Sequence, residues 1–497
     1  MSAPVTSSSQ FIPPPPGDLL GHPKPLWMLF TAEFWERFCY YGMRALLAVY
    51  VATAFFGTLP EGEAKAQAAL TYGGYTALVY ATGIFGGFIA DRYLGYQRSI
   101  LLGGALMAAG MFMLLSPDLH WFLVGLSVIV AGNGLFKPNI STMVGKLYAP
   151  GDARRDSGFT IFYMGINAGA LFAPIVCATW IGAKFGMQYG FLAAGIGMIL
   201  GIVVFHLLAG MLGNIGKAGP GREGFGPILV TLAGALAAVP VIYFLLSKNQ
   251  ILGYVLVVMM AGLAAYFIVS GIRSRDSVQM QRYIAMLILF MANCLFWALF
   301  EQAGSSLNFL AKDFVDAPFH FSVFQSVNPL FILLLGPLFA LAWPALDKVK
   351  MNPSIPRKFA IALIGVGFGF FILVLAIEHM QDANGKIPWL MLGLCYMIHT
   401  MAELCLSPIG LSMVTKLAAP KEVGMAMGGW FLSTAMANYF AGIIAAIASG
   451  GGGHGEEVSS LGQYATVFNQ LWWLGLIIGG AYFLLAPLIN KLMHGVK

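Results

Sequence analysis

Fourteen stretches of this chain are long and apolar enough to cross a lipid bilayer, and that feature decides what the rest can be. A hydrocarbon core of about 30 Å takes roughly 20 mostly apolar residues when crossed as a helix. By that rule the spans run at 26–56, 66–90, 97–116, 120–147, 155–180, 185–211, 226–246, 252–271, 280–314, 322–345, 357–378, 387–415, 422–448 and 464–492. The runs are continuous rather than alternating, which excludes a closed β-barrel. Only 10% of the 497 residues are charged, against about 25% in an average soluble domain, so the chain cannot coat a water-facing surface of its own size. The expectation is an all-α integral membrane protein of 14 transmembrane helices.

Lys and Arg set the orientation. Nineteen of the 27 fall in one set of loops, five in the alternate set, and three (Arg37, Arg44 and Lys137) inside spans. Both termini are therefore expected in the cytoplasm. The net charge of +6 is then a topology signal, and no nucleic acid is needed to explain it. Residues 1–25, with Pro13 to Pro16 in a row, read as a flexible cytoplasmic tail without the basic-then-apolar pattern of a signal peptide. The five cysteines form no C-x-x-C pair, so neither a disulfide framework nor a metal site is suggested.

The chain repeats itself weakly. Residues 137–150, KPNISTMVGKLYAP, match 407–420, SPIGLSMVTKLAAP, at seven of fourteen positions. Phe34-Trp35, Phe38 and Gly42 echo Phe296-Trp297, Phe300 and Gly304 at the same spacing. These echoes divide the chain into a tail (1–25), a six-helix bundle (26–211), a two-helix insertion (212–279) and a second six-helix bundle (280–497). Parallel six-helix repeats are the major facilitator arrangement, with substrate bound between the halves near the midplane. The loop Gly87-Phe88-Ile89-Ala90-Asp91-Arg92-Tyr93-Leu94-Gly95-Tyr96-Gln97-Arg98 resembles that superfamily's loop motif after its second helix.

Seven ionisable residues lie well inside spans: Glu33, Glu36, Arg37, Arg44, Lys137, Glu301 and Glu403. Each costs about 2.5–3.5 kcal/mol at a helix centre, so they must face a polar cavity or one another. At 100° per residue, Glu33, Glu36, Arg37, Tyr40, Tyr41 and Arg44 share one face of the first helix. A structural ion-pair knot would use such residues too. Yet four carboxylates meet three bases, and a carboxylate without a permanent cation can bind a proton near neutral pH.

These residues carry a specific resemblance. Glu33-x-x-Glu36-Arg37-Phe38-x-Tyr40-Tyr41-Gly42 is similar to the first-helix signature of the proton-dependent oligopeptide transporter family. Phe162-Tyr163-Met164-Gly165-Ile166-Asn167-Ala168-Gly169 resembles its F-Y-x-x-I-N-x-G signature. Phe296 to Leu307, Glu403 with Ser407-Pro408-Ile409-Gly410, and Trp430-Phe431-Leu432-Ser433 are similar to its seventh, tenth and eleventh core helices. The two-helix insertion is similar to the bacterial branch. The resemblance implies a proton-coupled symporter importing di- and tripeptides, driven by the proton gradient without a cofactor. Arg37, Arg44 and Lys137 would take the peptide carboxylate, Glu403 the ammonium, and Asn167 and Asn328 the peptide backbone. Tyr40, Tyr41, Tyr80, Trp297, Trp430 and Phe431 would line side-chain pockets, with Tyr163 and Ser407 nearby. Mammalian relatives use a histidine on the second helix; span 66–90 has none, so coupling would rest on Glu33, Glu36 and Glu301 with Arg37 and Lys137. A salt bridge between Lys137 and Glu301, from opposite halves, would form only when the halves close and would break on protonation or peptide binding. Alternatively, Lys137 pairs with Glu33 or Glu36 inside its own half.

Bland readings stand beside these. Tyr80 and Trp430 can be packing residues, Asn328 can cap a helix break before Pro329, and Tyr163 can bond across helices. Ser407 can satisfy a carbonyl freed by Pro408. His206 and His399 lie inside spans and read as inter-helix histidines. Gly365-x-Gly367-x-Gly369 reads as small-residue helix packing. Asn139-Ile140-Ser141 lies within a span, and His454-Gly455-Glu456-Glu457 sits in a Gly-rich outer loop. No G-x-x-x-x-G-K-[ST] occurs, so ATP is not the energy source. A nitrate or other small-anion symporter of the same family is the alternative, and Glu403 argues against it. An intramembrane hydrolase lacks a nucleophile–base pair at workable spacing.

Overall fold

A computed structural model describes residues 12–15, 17–450 and 460–496. Fourteen long helices dominate it: α1 (Lys24–Ala54), α2 (Glu61–Ile89), α3 (Tyr96–Met113), α4 (Leu119–Lys146), α5 (Arg154–Ala173), α6 (Met187–Leu208), α7 (Gly226–Ser247) and α8 (Asn249–Ser274) come first. Then follow α9 (Ser277–Phe300, resuming as Ser306–Asp313), α10 (Val327–Lys348), α11 (Ile355–His379), α12 (Trp389–Leu417), α13 (Val423–Ala448) and α14 (Leu461–Leu492). Among the described residues, 12 helices are long and apolar enough to cross a membrane. The exceptions are α1, diluted by its charges, and the short α3, which opens on Tyr96-Gln97-Arg98. The chain is a multi-pass membrane protein. With an even number of crossings, the start of α1 and the end of α14 lie at one end of the bundle, here the termini end; the other is the far end.

Local chemistry sets many helix starts. The carboxylate of Asp118 accepts from Trp121 N at 3.1 Å to cap α4, and Asp276 accepts from Val278 N at 2.9 Å to cap α9. Pro174 cannot donate, and α5 continues past it as a π-helix over Pro174–Gly182. Span 280–314 reads as one helix from sequence, but α9 breaks into a 3-10 turn at Glu301–Gly304. A Cβ on Gly304 would lie 1.8 Å from the Tyr72 hydroxyl, so only glycine lets α2 approach this turn. The glycines of α11 pack as expected: a Cβ on Gly367 would stand 3.1 Å from Gly475 Cα of α14.

The first half packs α1 on α5 and α6, α3 on α4 and α6, and α2 on α4; the second packs α11 on α12 and α14, and α9 on α13. Across the seam α2 lies against α13, and α5 against α10. The inserted helices part company: α7 rests on α4, whereas α8 rests on α9 and α13. Apolar side chains point outward on α7 (Val230, 72% exposed) and α14 (Leu484, 80% exposed), as lipid-facing helices require.

The tail departs from expectation. Asp18–Leu19 and His22–Pro23 form a small antiparallel hairpin. His22 Nδ1 lies 2.8 Å from the Tyr148 hydroxyl, and Arg154 bridges to Asp18 at 3.0 Å, which docks the hairpin on the connection between α4 and α5. Outside the membrane, hydrogen bonds from Arg154 hold the Asp152 carboxyl below the usual carboxylate range. His454-Gly455-Glu456-Glu457 lies outside the described residues, as do residues 1–11.

Candidate functional site

The polar face of α1 turns inward, where burial makes every partner count. Arg37 Nε sits 3.1 Å from Glu33 Oε1 and also bonds Glu36 Oε2, so one guanidinium serves two carboxylates. Glu36 is fully buried and accepts a further bond from Asn133 Nδ2 of α4 at 3.2 Å. Two turns along α1, Arg44 Nη2 reaches Glu301 Oε2 of α9 at 2.7 Å, while its Nε donates to the Tyr72 hydroxyl at 2.7 Å. This pair joins the two halves of the chain.

Lys137 is placed differently from expectation. Its Nζ lies 4.2 Å from the centre of the Tyr80 ring and in no salt bridge among the described residues. Neither the Lys137–Glu301 bridge nor a Lys137 pair with Glu33 or Glu36 is formed; Arg44 takes Glu301 instead. The reason is reach: Glu301 opens the 3-10 turn beside α1, where Arg44 projects directly onto it. Tyr80 offers the ammonium an aromatic face in place of a carboxylate.

Glu403 is the carboxylate left over. It is buried on α12, has no cation in salt-bridge range among the described residues, and accepts from Asn328 Nδ2 at 2.9 Å. The same Asn328 Nδ2 reaches Thr400 Oγ1 at 3.0 Å, so the amide nitrogen braces Glu403. The sequence singled out Glu403 as the acid without a cation, and Glu33, Glu36 and Glu301, the candidates for coupling, each stand beside a guanidinium.

The remaining candidates fall on the same seam with varied freedom. Asn167 is buried and donates to Tyr163 O at 2.9 Å, while the Tyr163 side chain is 38% exposed. Tyr40 and Tyr41 meet edge to face at 5.3 Å, each near a guanidinium: Arg37 for Tyr40 and Arg44 for Tyr41. Trp297 and Phe431 are half-buried, as is Ser407 one turn beyond Glu403. Trp430 is only 5% exposed and lies 6.1 Å from the Phe290 ring and 6.3 Å from that of Phe359, which makes it chiefly a packing residue. His399 is the inter-helix histidine expected, its Nε2 2.8 Å from Val366 O. Asn139 spends its amide on Leu135 O at 2.7 Å within α4.

Sequence reasoning missed four participants. Tyr72, Asn133 and Thr400 are neutral residues inside apolar runs, with nothing to single them out. Lys65 looked like a loop cation, yet it is 4% exposed and bridges Asp313 of α9 at 2.7 Å and Glu61 at 2.5 Å. Its spacing of four from Glu61 was the only available signal.

The bonds that cross the seam gather toward the far end. Besides Arg44–Glu301 and Lys65–Asp313, they include Asn308 Nδ2 to Ala45 O at 3.0 Å, Thr179 to Ser322 at 2.9 Å, and Ser326 to Leu171 O at 2.8 Å.

Comparison with known proteins fits this geometry. The family profile that matches, over residues 97–459, is that of the POT family. Peptide transporter YePEPT of Yersinia enterocolitica is 35% identical over 508 residues, covering 96% of each chain. Dipeptide and tripeptide permease B of Edwardsiella piscicida is 32% identical, covering 96% of this chain and 97% of its own. The crystal structure of a peptide transporter POT in complex with sulfate superposes with a TM-score of 0.81 at 35% identity, covering 98% of both chains. A POT family transporter in complex with 5-aminolevulinic acid gives a TM-score of 0.80 at 31% identity, covering 95% of this chain and 98% of its own. Shared across nearly the whole length in both sequence and fold, these likenesses place the chain in the POT family.

Proposed function

We propose that the chain is a proton-coupled symporter that imports di- and tripeptides, holding each as a zwitterion between its two six-helix halves. One observation carries the reading: among the described residues, the first half holds a half-buried cation in no salt bridge, Lys137, and the second a buried carboxylate in no salt bridge, Glu403. A zwitterionic peptide supplies both missing partners, its carboxylate to Lys137 and its ammonium to Glu403. Charges taken from water are tolerated when each finds its opposite. The adjustable walls of Tyr40, Tyr41, Tyr80, Trp297 and Phe431 suit side chains that vary from peptide to peptide. The relatives' names, peptide transporter and dipeptide and tripeptide permease, support the same substrate class. A nitrate carrier would have no use for an uncompensated Glu403.

Proton coupling follows from the shared guanidinium and the crossing bridge. Glu33 and Glu36 compete for Arg37, so a proton on either still leaves Arg37 a partner. Arg44–Glu301 is the bond that ties the halves at the substrate's level. A proton on Glu301, or a peptide carboxylate drawn to Arg44, weakens it and lowers the cost of rocking between states. Arg44 thus takes the switch role expected of Lys137. The excess of Lys and Arg in the loops at the termini end supports a cytoplasmic orientation for it in a bacterial inner membrane. With its crossing bonds at the far end, this conformation is the one that opens to the cytoplasm.

Counterflow into proteoliposomes tests the proposal. Labelled dialanine should exchange, and should accumulate under an inwardly directed proton gradient, while nitrate does neither. Nitrate uptake with no dialanine exchange would overturn the reading.

A further inference from the structure

The two inserted helices leave a cleft that the transport cycle does not use. It encloses about 610 Å³ between α2, α4 and α7. Its walls come from Phe85, Ile89, Leu135, Val230, Ala235 and Ala238, with Gly234 along α7. The hydroxyl of Thr82 in the wall is spent on Leu78 O at 3.0 Å, which leaves the surface apolar. At the rim Phe85 is 62% and Val230 72% exposed, so the cleft opens sideways toward lipid rather than into the transport seam. Its termini end is different in kind. Arg222, the one charged residue lining it, lies over the Tyr93 ring at 5.2 Å, and neighbouring Arg92 lies over Phe88 at 4.7 Å. Both guanidiniums are exposed, and neither is in a salt bridge among the described residues.

An apolar slot at membrane depth ending in two unpaired guanidiniums at the interface matches one kind of molecule, an amphiphile with an anionic head. We propose that the cleft is a binding site for an anionic phospholipid, one acyl chain lying between α2 and α7 and the headgroup phosphate held by Arg222 and Arg92. Guanidinium is the donor best shaped for phosphate, and aromatic faces beneath both groups hold them at the interface. The insertion explains why the cleft exists. Because α8 leaves to pack on α9 and α13, α7 stands against the first half without its hairpin partner beside it.

The test uses the full chain in nanodiscs with phosphatidylglycerol or phosphatidylcholine carrying a photoreactive group on the acyl chain. Crosslinked peptides should concentrate in residues 82–93 and 227–242, at least several-fold more with phosphatidylglycerol. Arg222→Ala combined with Arg92→Ala should abolish that preference. Gly234→Leu should remove labelling of the cleft for both lipids, since a Cβ there meets nothing within 4 Å and the added side chain would extend into the slot. Labelling spread evenly over lipid-facing helices such as α14 would overturn the site. Equal labelling by both lipids, or a preference that survives loss of both arginines, would overturn its anionic character.

Discussion

Glu403 and Lys137 belong to opposite halves, and among the described residues neither meets an opposite charge, so substitution there separates substrate chemistry from structure. A hydrogen bond to a charged group contributes about 1.5–3 kcal/mol. Glu403→Gln should therefore cost dialanine roughly tenfold or more in affinity at that magnitude, while N-acetyl-dialanine, without an ammonium, changes little. Competition against labelled dialanine measures both, and equal losses would make Glu403 structural. Glu33→Gln and Glu36→Gln address the proton instead. Each leaves Arg37 one carboxylate, so the fold should stand, accumulation driven by a proton gradient should be lost, and counterflow should persist. Full gradient-driven uptake in both variants would remove these residues from coupling. The sequence identified Glu33, Glu36, Arg37, Arg44, Lys137, Glu301 and Glu403, because an ionisable residue inside an apolar run is visible in one dimension, whereas Lys65, Lys358 and Glu422, buried as well, lie at span ends and did not stand out. Their pairing was not visible. Arg44 and Lys137 both belong to the first half, and which of them meets Glu301 depends on helix depth and rotation across 257 positions of chain.

At the scale of elements, the helices were legible because hydrophobicity over 20 or so residues is a local property. Every expected span has its helix, with ends displaced by a few residues. The break in α9 was not legible, because Gln302-Ala303-Gly304-Ser305-Ser306 is small and mild enough to continue a membrane helix. What ends the helix is a neighbour: Tyr72 of α2 occupies the space a side chain at 304 would need. Gly304→Ala should push Tyr72 away from Arg44, loosening the bond between its hydroxyl and Arg44 Nε that helps aim the guanidinium at Glu301. The expected outcome is a thermal midpoint lowered by several degrees together with loss of dialanine exchange. Gly336→Ala on α10, where a Cβ meets nothing within 4 Å, is the matched control and should leave both unchanged. A normal melting curve and normal exchange in Gly304→Ala would show that the turn yields without consequence.

For the whole molecule, the bonds across the seam imply a lever. The halves are tied toward the far end by Lys65–Asp313 and by Thr179 and Ser322, whose hydroxyls lie 2.9 Å apart. Alternating access requires those ties to open while the termini end closes. The inserted pair spans the same seam: Glu422, at the start of α13, accepts from Ser270 Oγ of α8 at 2.5 Å, while Arg98 of α3 donates to Arg222 O, just before α7, at 3.0 Å. Each inserted helix therefore packs chiefly on a different half, the two meeting around the short connection at Lys248, where Asn249 Nδ2 also donates to Leu70 O of α2 at 2.9 Å. This arrangement allows rocking but offers no lock, so a lock must be added at the seam itself. Thr179→Cys with Ser322→Cys brings two thiols together where hydroxyls already touch, a separation suited to a disulfide. Oxidation should then hold the far end shut and stop dialanine counterflow, with exchange recovering when the bond is reduced. Either single variant should transport normally before and after oxidant, which separates the crosslink from damage to Cys39, Cys177, Cys294, Cys395 or Cys405. Undiminished exchange in fully crosslinked protein would mean that the far end need not open, and alternating access between these two halves would have to be abandoned.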